Sequence, residues 1–461
     1  MPKTLSLLLL FILLAGCSPA ASAPTSLPTE TIPAATATPA PPTPLPAPTT
    51  VPTAQADILY VDPGLDLGPI SPLVYGTNHG PWAAVPASRL EDAYNLPVKV
   101  IRFPGGEWGD RNTLRSYQID QFMDFCKRIG ATANINVRTM TGTPEEAAAL
   151  VRYVNIEKGY GIRYWAIGNE PQFYGAALGE PYTVERFNRE FRAFALAMKA
   201  VDPTIQIIGP ELTNFGPDLA SNPKDSEGKD WMVEFLRANG DVVDIVSIHR
   251  YPFPANAMSP ARTIDDLRAD TVNWTSTLRT LRDLVQAETG RDLPIAVTET
   301  NSDWSKAVGG QATPDSFYNA IWWADSLGRM IREDVVLVNY WMISYNLGGW
   351  SLVTRQGPSP TYYVYEIYKH FGEQQVYSAS GLADVSIYAS RRGDGALTLM
   401  VINLADDEKR APLEVAGGAP ATASLIRLDP EHNAADLGEQ PFLEDGALRL
   451  PPQSVTLYVL E

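Results

Sequence analysis

The stretch Trp165-Ala166-Ile167-Gly168-Asn169-Glu170-Pro171 contains an apolar, strand-like run that stops at a carboxylate. A second stretch, Ile295-Ala296-Val297-Thr298-Glu299, has the same form 129 positions after the first glutamate. A strand that ends at a carboxylate puts that group at the rim of a sheet or barrel, where a substrate can reach it. Two such groups can share one glycosidic bond, one as acid and base and the other as nucleophile.

Strand-like runs recur around these two stretches and alternate with helical patterns. Eight parallel strands separated by helices predict a closed (β/α)8 barrel, the α/β TIM-barrel fold. A doubly wound open sheet is the alternative, but it would concentrate polar strand ends at one switch point, whereas here they are spread along the chain. The eight runs are Leu73–Asn78, Val98–Phe103, Ala133–Arg138, Arg163–Asn169, Ile205–Pro210, Asp244–His249, Pro294–Thr298 and Leu337–Ile343.

The helical patterns between the runs are bounded by ordinary start and stop signals. The clearest begins at Thr183, a suitable N-cap, and stops at Asp202-Pro203. A single helix is predicted over Ile264–Ala287. Other helices are predicted at Gln118–Ile129, Pro144–Asn155, Trp231–Ala238, Phe317–Ile331 and Tyr362–Phe371.

The chain changes character after Gly372, where short β-rich runs replace the helices. These runs predict a C-terminal antiparallel β-sandwich domain over residues 373–461, after a barrel domain over 56–372. The run Asp57–Val61 precedes the barrel and is expected to cross over to the sandwich. The sandwich strands are predicted at Asp384–Ser390, Ala396–Leu404, Ser424–Leu428 and Val455–Leu460.

The N-terminal segment has the pattern of an export signal. Lys3 is followed by an apolar run and then by Leu14-Ala15-Gly16-Cys17, which resembles the processing box of bacterial lipoproteins. We therefore expect residues 1–17 to be a lipoprotein signal with lipid on Cys17, which would hold the protein at the extracellular face of a bacterial membrane. Ordinary secretion is the alternative. Residues 18–55 are rich in Pro, Thr, Ala and Ser and predict a disordered linker.

Composition limits the partners. The 461 residues carry a formal charge of −17, which disfavours nucleic acid and anionic lipid surfaces and fits a carbohydrate substrate. Four histidines without a ligand-spaced pair predict no metal site, and no nucleotide-binding glycine loop is present, so no cofactor is expected. The oligomeric state is left open.

Four motifs together resemble clan A of the glycoside hydrolases, in particular its α-L-arabinofuranosidase and β-xylosidase-type families. They are Tyr75-Gly76-Thr77-Asn78, Arg102-Phe103-Pro104-Gly105-Gly106, Thr143 to Asn155, and Ile167-Gly168-Asn169-Glu170-Pro171. The resemblance spans roughly residues 56–461 and implies a retaining glycosidase that acts on plant-type polysaccharides or oligosaccharides.

The resemblance also implies roles for individual residues. Glu170, after the fourth barrel strand, would be the acid/base, and Glu299, after the seventh, the nucleophile. Asn169 would contact the sugar 2-hydroxyl, and Arg102 would hold the nucleophile through a charge-assisted hydrogen bond. The remaining candidates for substrate contact are His249, Tyr251, Asn78, Trp341 and Trp304.

The sequence departs from the family pattern at two places. Glu107 follows the double glycine where the family usually has Asn, and Thr298-Glu299-Thr300 lacks the expected Glu-Trp pair. In the family both positions help to shape the sugar pocket, so the sugar and the linkage stay open. An endo-acting glucanase or xylanase of the same clan and a non-catalytic glycan-binding lipoprotein are the alternative functions.

Overall fold

The computed structural model describes residues 55–254, 258–345 and 347–461. The predicted signal segment, the lipid attachment at Cys17 and nearly all of the predicted linker lie outside these residues. Within them, no helix combines the length and the apolar character needed to cross a bilayer.

Eight parallel strands close into a barrel, which confirms the predicted (β/α)8 fold. An N-terminal strand, β1 (Leu59–Pro69), precedes them, and the barrel strands pair in the order β2-β3-β4-β5-β6-β7-β8-β9, with β9 closing on β2. The barrel strands are β2 (Gly76–Asn78), β3 (Val100–Phe103), β4 (Thr132–Val137), β5 (Tyr164–Ile167), β6 (Gln206–Leu212), β7 (Ile245–Arg250), β8 (Ile295–Thr300) and β9 (Leu337–Tyr340).

Apolar side chains fill the interior of the barrel, as its closure requires. Six strands each contribute one buried residue to an inner cluster that consists of Val100, Ala166, Ile208, Ile245, Ala296 and Leu337. The chemistry described below therefore lies above a packed core, at the carboxyl ends of the strands.

The helices cover the outside of the barrel. α6 shows why: Thr183 caps its first turn, and Phe187, Phe191 and Met198 lie buried along one face. The helices are α1 (Leu90–Asn95), α2 (Trp108–Arg111), α3 (Ser116–Ile129), α4 (Pro144–Val151), α5 (Tyr174–Leu178), α6 (Val184–Val201), α7 (Trp231–Asn239), α8 (Ile264–Asp270), α9 (Asn273–Thr289), α10 (Phe317–Arg332) and α11 (Tyr362–Tyr368).

Two predicted elements differ clearly from the structure, and several others differ in their bounds. The run Leu73–Asn78 is a strand only from Gly76, because Pro72–Val74 forms a 3-10 turn in which the Leu73 amide donates to the Ser71 hydroxyl oxygen. The single helix predicted over Ile264–Ala287 is two helices, α8 and α9. α8 ends at Asp270, a buried carboxylate that accepts hydrogen bonds from Arg250 and from Trp322 Nε1.

The C-terminal domain is one nine-stranded sheet that curls into a sandwich, as predicted. Leu425 and Leu448 lie near opposite edges of the sheet, yet both belong to one buried cluster, so the sheet closes on itself. Its C-terminal strands are β10 (Gln374–Ser380), β11 (Val385–Arg391), β12 (Leu397–Asn403), β13 (Lys409–Val415), β14 (Thr422–Asp429), β15 (His432–Pro441), β16 (Ala447–Leu450) and β17 (Ser454–Leu460).

The ninth strand of this sheet is β1, which comes before the barrel in the chain. It pairs antiparallel with β10 and parallel with β13. The domains also contact each other through α10, where the Tyr388 hydroxyl donates to Asp325 Oδ1 at 2.6 Å and the Tyr318 hydroxyl donates to the Leu404 carbonyl at 2.7 Å.

Candidate active site

Glu170 and Glu299 lie in one cavity at the carboxyl ends of the barrel strands. Three atoms lie within 4.8 Å of one another here: one carboxylate oxygen of Glu170, one of Glu299 and one ring nitrogen of His249. The cavity has a volume of about 450 Å³. Glu299 is almost buried, whereas the Glu170 side chain keeps 21% of its surface exposed. The two carboxyl groups predicted from the strand ends are therefore brought together, one deep and one closer to solvent.

The backbone around Glu170 is left-handed at two positions. Gly168 has φ of 79° and Glu170 has φ of 47°, a conformation that non-glycine residues rarely adopt. The Glu170 amide donates to the carbonyl of Glu211 at 3.0 Å. This turn carries the chain out of β5 and directs Glu170 into the cavity.

Both oxygens of Glu299 are held by neighbouring donors. Arg102 Nη1 donates to Oε2 at 3.1 Å, and the Tyr251 hydroxyl donates to Oε1 at 2.7 Å. Burial raises the pKa of Glu299, as does the nearby carboxylate of Glu170, while the charges of His249 and Arg102 oppose this rise. The ionised form of Glu299 therefore depends on these two cations.

A third carboxylate, Glu211, lies fully buried behind the two glutamates and was missed by the sequence analysis. Its Oε2 is 2.7 Å from Arg102 Nη2 and 3.0 Å from His249 Nε2, and its Oε1 accepts from the Thr298 hydroxyl at 2.9 Å. Burial alone would raise the pKa of Glu211, but Arg102 and His249 lower it to about 2. The only signal was a carboxylate directly after the strand run Ile205–Pro210.

His249 connects the three carboxylates. Its Nδ1 lies 3.1 Å from Glu170 Oε1 and 3.9 Å from Glu299 Oε2, and its Nε2 faces Glu211. Burial alone would lower the pKa of His249, but Glu299, Glu170 and Glu211 raise it to about 9, so the ring is cationic at neutral pH.

The trio Glu170, His249 and Glu299 has the spacing of a metal site. A metal ligand must be a neutral imidazole with a free nitrogen. Both nitrogens of His249 face carboxylates and the ring is charged, so these residues suit an organic substrate better than a metal ion.

Of the two predicted asparagines, Asn169 lines the cavity and Asn78 does not. Asn169 lines the cavity, and its Oδ1 accepts from Arg102 Nη2 at 2.9 Å. Asn78, a predicted substrate contact, is fully buried: its amide donates to backbone carbonyls, including that of Thr298, and its Oδ1 accepts from Arg102. Asn78 therefore supports the Arg102 guanidinium from behind and does not reach the cavity.

Aromatic side chains form the walls of the cavity. Trp341 and Trp350 line it with ring centroids 6.4 Å apart, and Trp350 was not predicted. Gly106 has φ of 68°, and a Cβ there would lie 2.6 Å from the Trp341 ring, which explains the double glycine before Glu107. The Trp304 side chain is 45% exposed at the rim, and its indole N–H donates to the Pro254 carbonyl at 2.8 Å.

Glu107, which stands where the resembled family usually has Asn, also lines the cavity. Its Oε1 accepts from Arg111 Nε at 2.8 Å. The charged residues that line the described cavity are Glu107, Glu170 and Glu299, all acidic. The cations Arg102 and His249 lie behind them, fully buried. The charged side chains that an incoming ligand meets directly are therefore acidic.

Comparison with known proteins gives partial matches by sequence and a full match by fold. No family model matches the chain. The chain is 28% identical over 157 residues to an α-L-arabinofuranosidase C of Emericella nidulans, which covers 26% of this chain and 31% of that protein. It is 27% identical over 194 residues to an intracellular exo-α-(1→5)-L-arabinofuranosidase of Halalkalibacterium halodurans, covering 34% and 37%. The chain thus spans about a third of the curated relatives it matches.

Solved structures share the whole two-domain fold. An α-L-arabinofuranosidase from Thermotoga maritima in complex with arabinose superposes with a TM-score of 0.69 at 19% identity, over 88% of this chain and 99% of that one. A bifunctional glucanase-xylanase from a metagenome library gives 0.68 at 18% identity, over 87% and 98%. At these identities the likeness establishes the fold.

Proposed function

We propose that the protein is a retaining glycoside hydrolase with Glu299 as nucleophile and Glu170 as acid/base. The observation that carries the proposal is the pair of carboxylate oxygens within 4.8 Å in one cavity. Retaining enzymes hold their carboxyl groups about 5–5.5 Å apart, whereas inverting enzymes need about 6.5–9.5 Å to admit a water.

The surroundings of the pair fit two different tasks. Glu299 would attack the anomeric carbon while Arg102 and Tyr251 keep its oxygens in place. Glu170 would give its proton to the leaving oxygen as that bond breaks, and would then take a proton from the water that cleaves the glycosyl-enzyme. Within the described part of the chain no residue bonds Glu170 Oε2, so this oxygen is free to hold the proton.

Charge counting supports the same assignment. Two buried cations, Arg102 and His249, lie among three carboxylates, those of Glu170, Glu211 and Glu299. The cluster becomes neutral when one carboxyl group is protonated. Glu170 is the more exposed of the two facing carboxyl groups, so its side chain is the one that reaches solvent and substrate.

The leading substrate class is arabinofuranosides or xylosides of plant-type glycans. The names of the partial sequence relatives support arabinofuranosides. A solved structure with nearly the same TM-score is a glucanase-xylanase, so an endo-acting enzyme of this clan is the second candidate.

The test combines two substitutions with a substrate panel. We expect Glu170→Ala and Glu299→Ala each to lose about 10²–10⁴-fold in kcat/KM on phenyl glycosides, whose leaving group needs proton donation. Glu157→Ala, at an exposed helical position, is the matched control. Azide should restore turnover of Glu170→Ala on an activated aryl glycoside and give a glycosyl azide.

Losses below tenfold in both variants would refute these roles. An activated 2-fluoroglycoside panel with peptide mapping should label Glu299 and identify the sugar. Affinity for polysaccharide without release of reducing ends would instead favour the non-catalytic glycan-binding function.

We also propose that the protein is exported and anchored through lipid on Cys17. The support is the sequence pattern ending at Leu14-Ala15-Gly16-Cys17. Metabolic labelling with a clickable palmitate should mark the wild type and spare Cys17→Ala. Equal labelling, or none in the wild type, would contradict the anchor.

A further inference from the structure

The turn that carries Glu170 is held by a hydroxyl group outside the cavity lining. The Asn169 amide donates to the Tyr174 hydroxyl oxygen at 3.0 Å. Asn169 lies between the two left-handed residues Gly168 and Glu170, so this bond fixes the middle of the turn. A shift of this peptide would move the Glu170 side chain.

Tyr174 is itself fixed on every side. It is buried, and its hydroxyl contacts Thr139 Oγ1 at 2.8 Å and the Asp110 carboxyl group by a short hydrogen bond. Its ring meets Tyr182 edge-on, with centroids 5.1 Å apart. A Cβ on Gly168 would lie 3.0 Å from the Tyr174 hydroxyl, so the turn packs directly against it.

Asp110 is 1% exposed and is absent from the ion pairs of the described residues that involve Arg102, which go to Glu211 and Glu299. Burial raises the pKa of Asp110 well above its ordinary value, although the Tyr174 bond and Arg102 oppose this rise. A neutral carboxyl group here can bond Tyr174 without placing a further charge beside Glu170.

We propose that Tyr174 and Asp110 are positioning residues for Glu170. Asp110 orients the Tyr174 hydroxyl, and that hydroxyl holds the Asn169 amide so that the Glu170 carboxyl group faces the leaving oxygen. This inference rests on the proposed function. It predicts a defect in the proton transfers of Glu170, and kcat/KM reports the first of them, the donation to the leaving oxygen.

The leaving group of the substrate separates this role from a general structural one. A 2,4-dinitrophenyl group departs with little proton donation, whereas a phenyl group needs it. We expect Tyr174→Phe to lower kcat/KM by about tenfold or more on the phenyl glycoside and by less than about threefold on the dinitrophenyl glycoside. Tyr182→Phe is the matched control, because it removes a hydroxyl from the adjacent buried ring and should match wild type on both substrates.

A second pair of variants tests Asp110. Asp110→Leu should reproduce the leaving-group dependence, and Asp110→Asn, which still accepts from Tyr174, should recover most of the loss. These variants also decide the matter if Tyr174→Phe does not fold.

Two results would overturn the inference. The first is that Tyr174→Phe and Tyr182→Phe have equal kcat/KM on both the phenyl and the dinitrophenyl glycoside. The second is that Tyr174→Phe and Asp110→Leu each lose the same factor on both glycosides. The proposed function fails separately. In that case Glu170→Ala would show neither a loss that grows with a poorer leaving group nor recovery with azide.

Discussion

Removing the charge of Glu211 should disturb the electrostatics of the site without changing its shape. Glu211→Gln keeps the volume but deletes the negative charge that lies 2.7 Å from Arg102 and 3.0 Å from His249. The pKa of Glu211 falls from its ordinary 4.5 to about 2 in the folded protein. At 1.36 kcal/mol per pKa unit this corresponds to about 3 kcal/mol of folding stability. Breaking a buried ion pair generally costs about 3–5 kcal/mol, which agrees.

The sign of the pH dependence follows from the lowered pKa. The contribution of Glu211 is present above pH 4.5 and is lost as pH falls towards 2. Urea unfolding at pH 6.5 should therefore show Glu211→Gln less stable by about 3 kcal/mol, with a difference that shrinks below pH 4.5. Glu157→Gln, an exposed substitution, should stay within about 0.5 kcal/mol of wild type. A Glu211→Gln difference under about 1 kcal/mol at pH 6.5, or one that does not change with pH, would refute the assigned network.

Three further outcomes follow from the site. The pKa of His249 is raised from 6.5 to about 9, so the protonated ring contributes about 3 kcal/mol to folding stability. This contribution is complete below pH 6.5 and is lost as the pH rises through 9. Urea unfolding should show this loss of stability in wild type and not in His249→Gln. Trp304→Ala should raise KM about 5–10-fold with kcat nearly unchanged, because its exposed ring offers a stacking face, and Trp304→Phe should retain wild-type KM in steady-state kinetics. Glu107→Gln should raise kcat/KM about threefold on aryl uronides relative to neutral glycosides at low salt, and the gain should vanish at 1 M salt, since this carboxylate is exposed at the cavity.

The barrel could be predicted because its signal is repeated. Eight apolar runs and seven helical patterns between or after them repeat the same signal, so a boundary error such as the one at Leu73–Asn78 does not change the fold. Glu170 and Glu299 could be located for the same reason. Each follows or closes an apolar run, and parallel strands bring their carboxyl ends to one rim.

The supporting residues could not be predicted because their roles depend on three-dimensional contacts. Glu211 follows an apolar run that is equally typical of an ordinary core strand. Its role depends on Arg102 and His249, which are remote in sequence. Asn78 looked like a rim residue, yet its side chain is fully buried and its Oδ1 accepts from Arg102 Nη1. Tyr174 sits in a loop helix of five residues, too short for any pattern.

The position of β1 has a consequence for how the chain matures. Leu59 is paired with Leu413, a residue synthesised 354 positions later. The whole barrel sequence can leave the ribosome before this strand finds its partners. During that interval its unpaired amides and carbonyls are exposed to other chains. Pairing with the C-terminal strands, which are made last, thus protects one of the first segments of the protein. C-terminal truncation should therefore produce aggregation even where the barrel is complete.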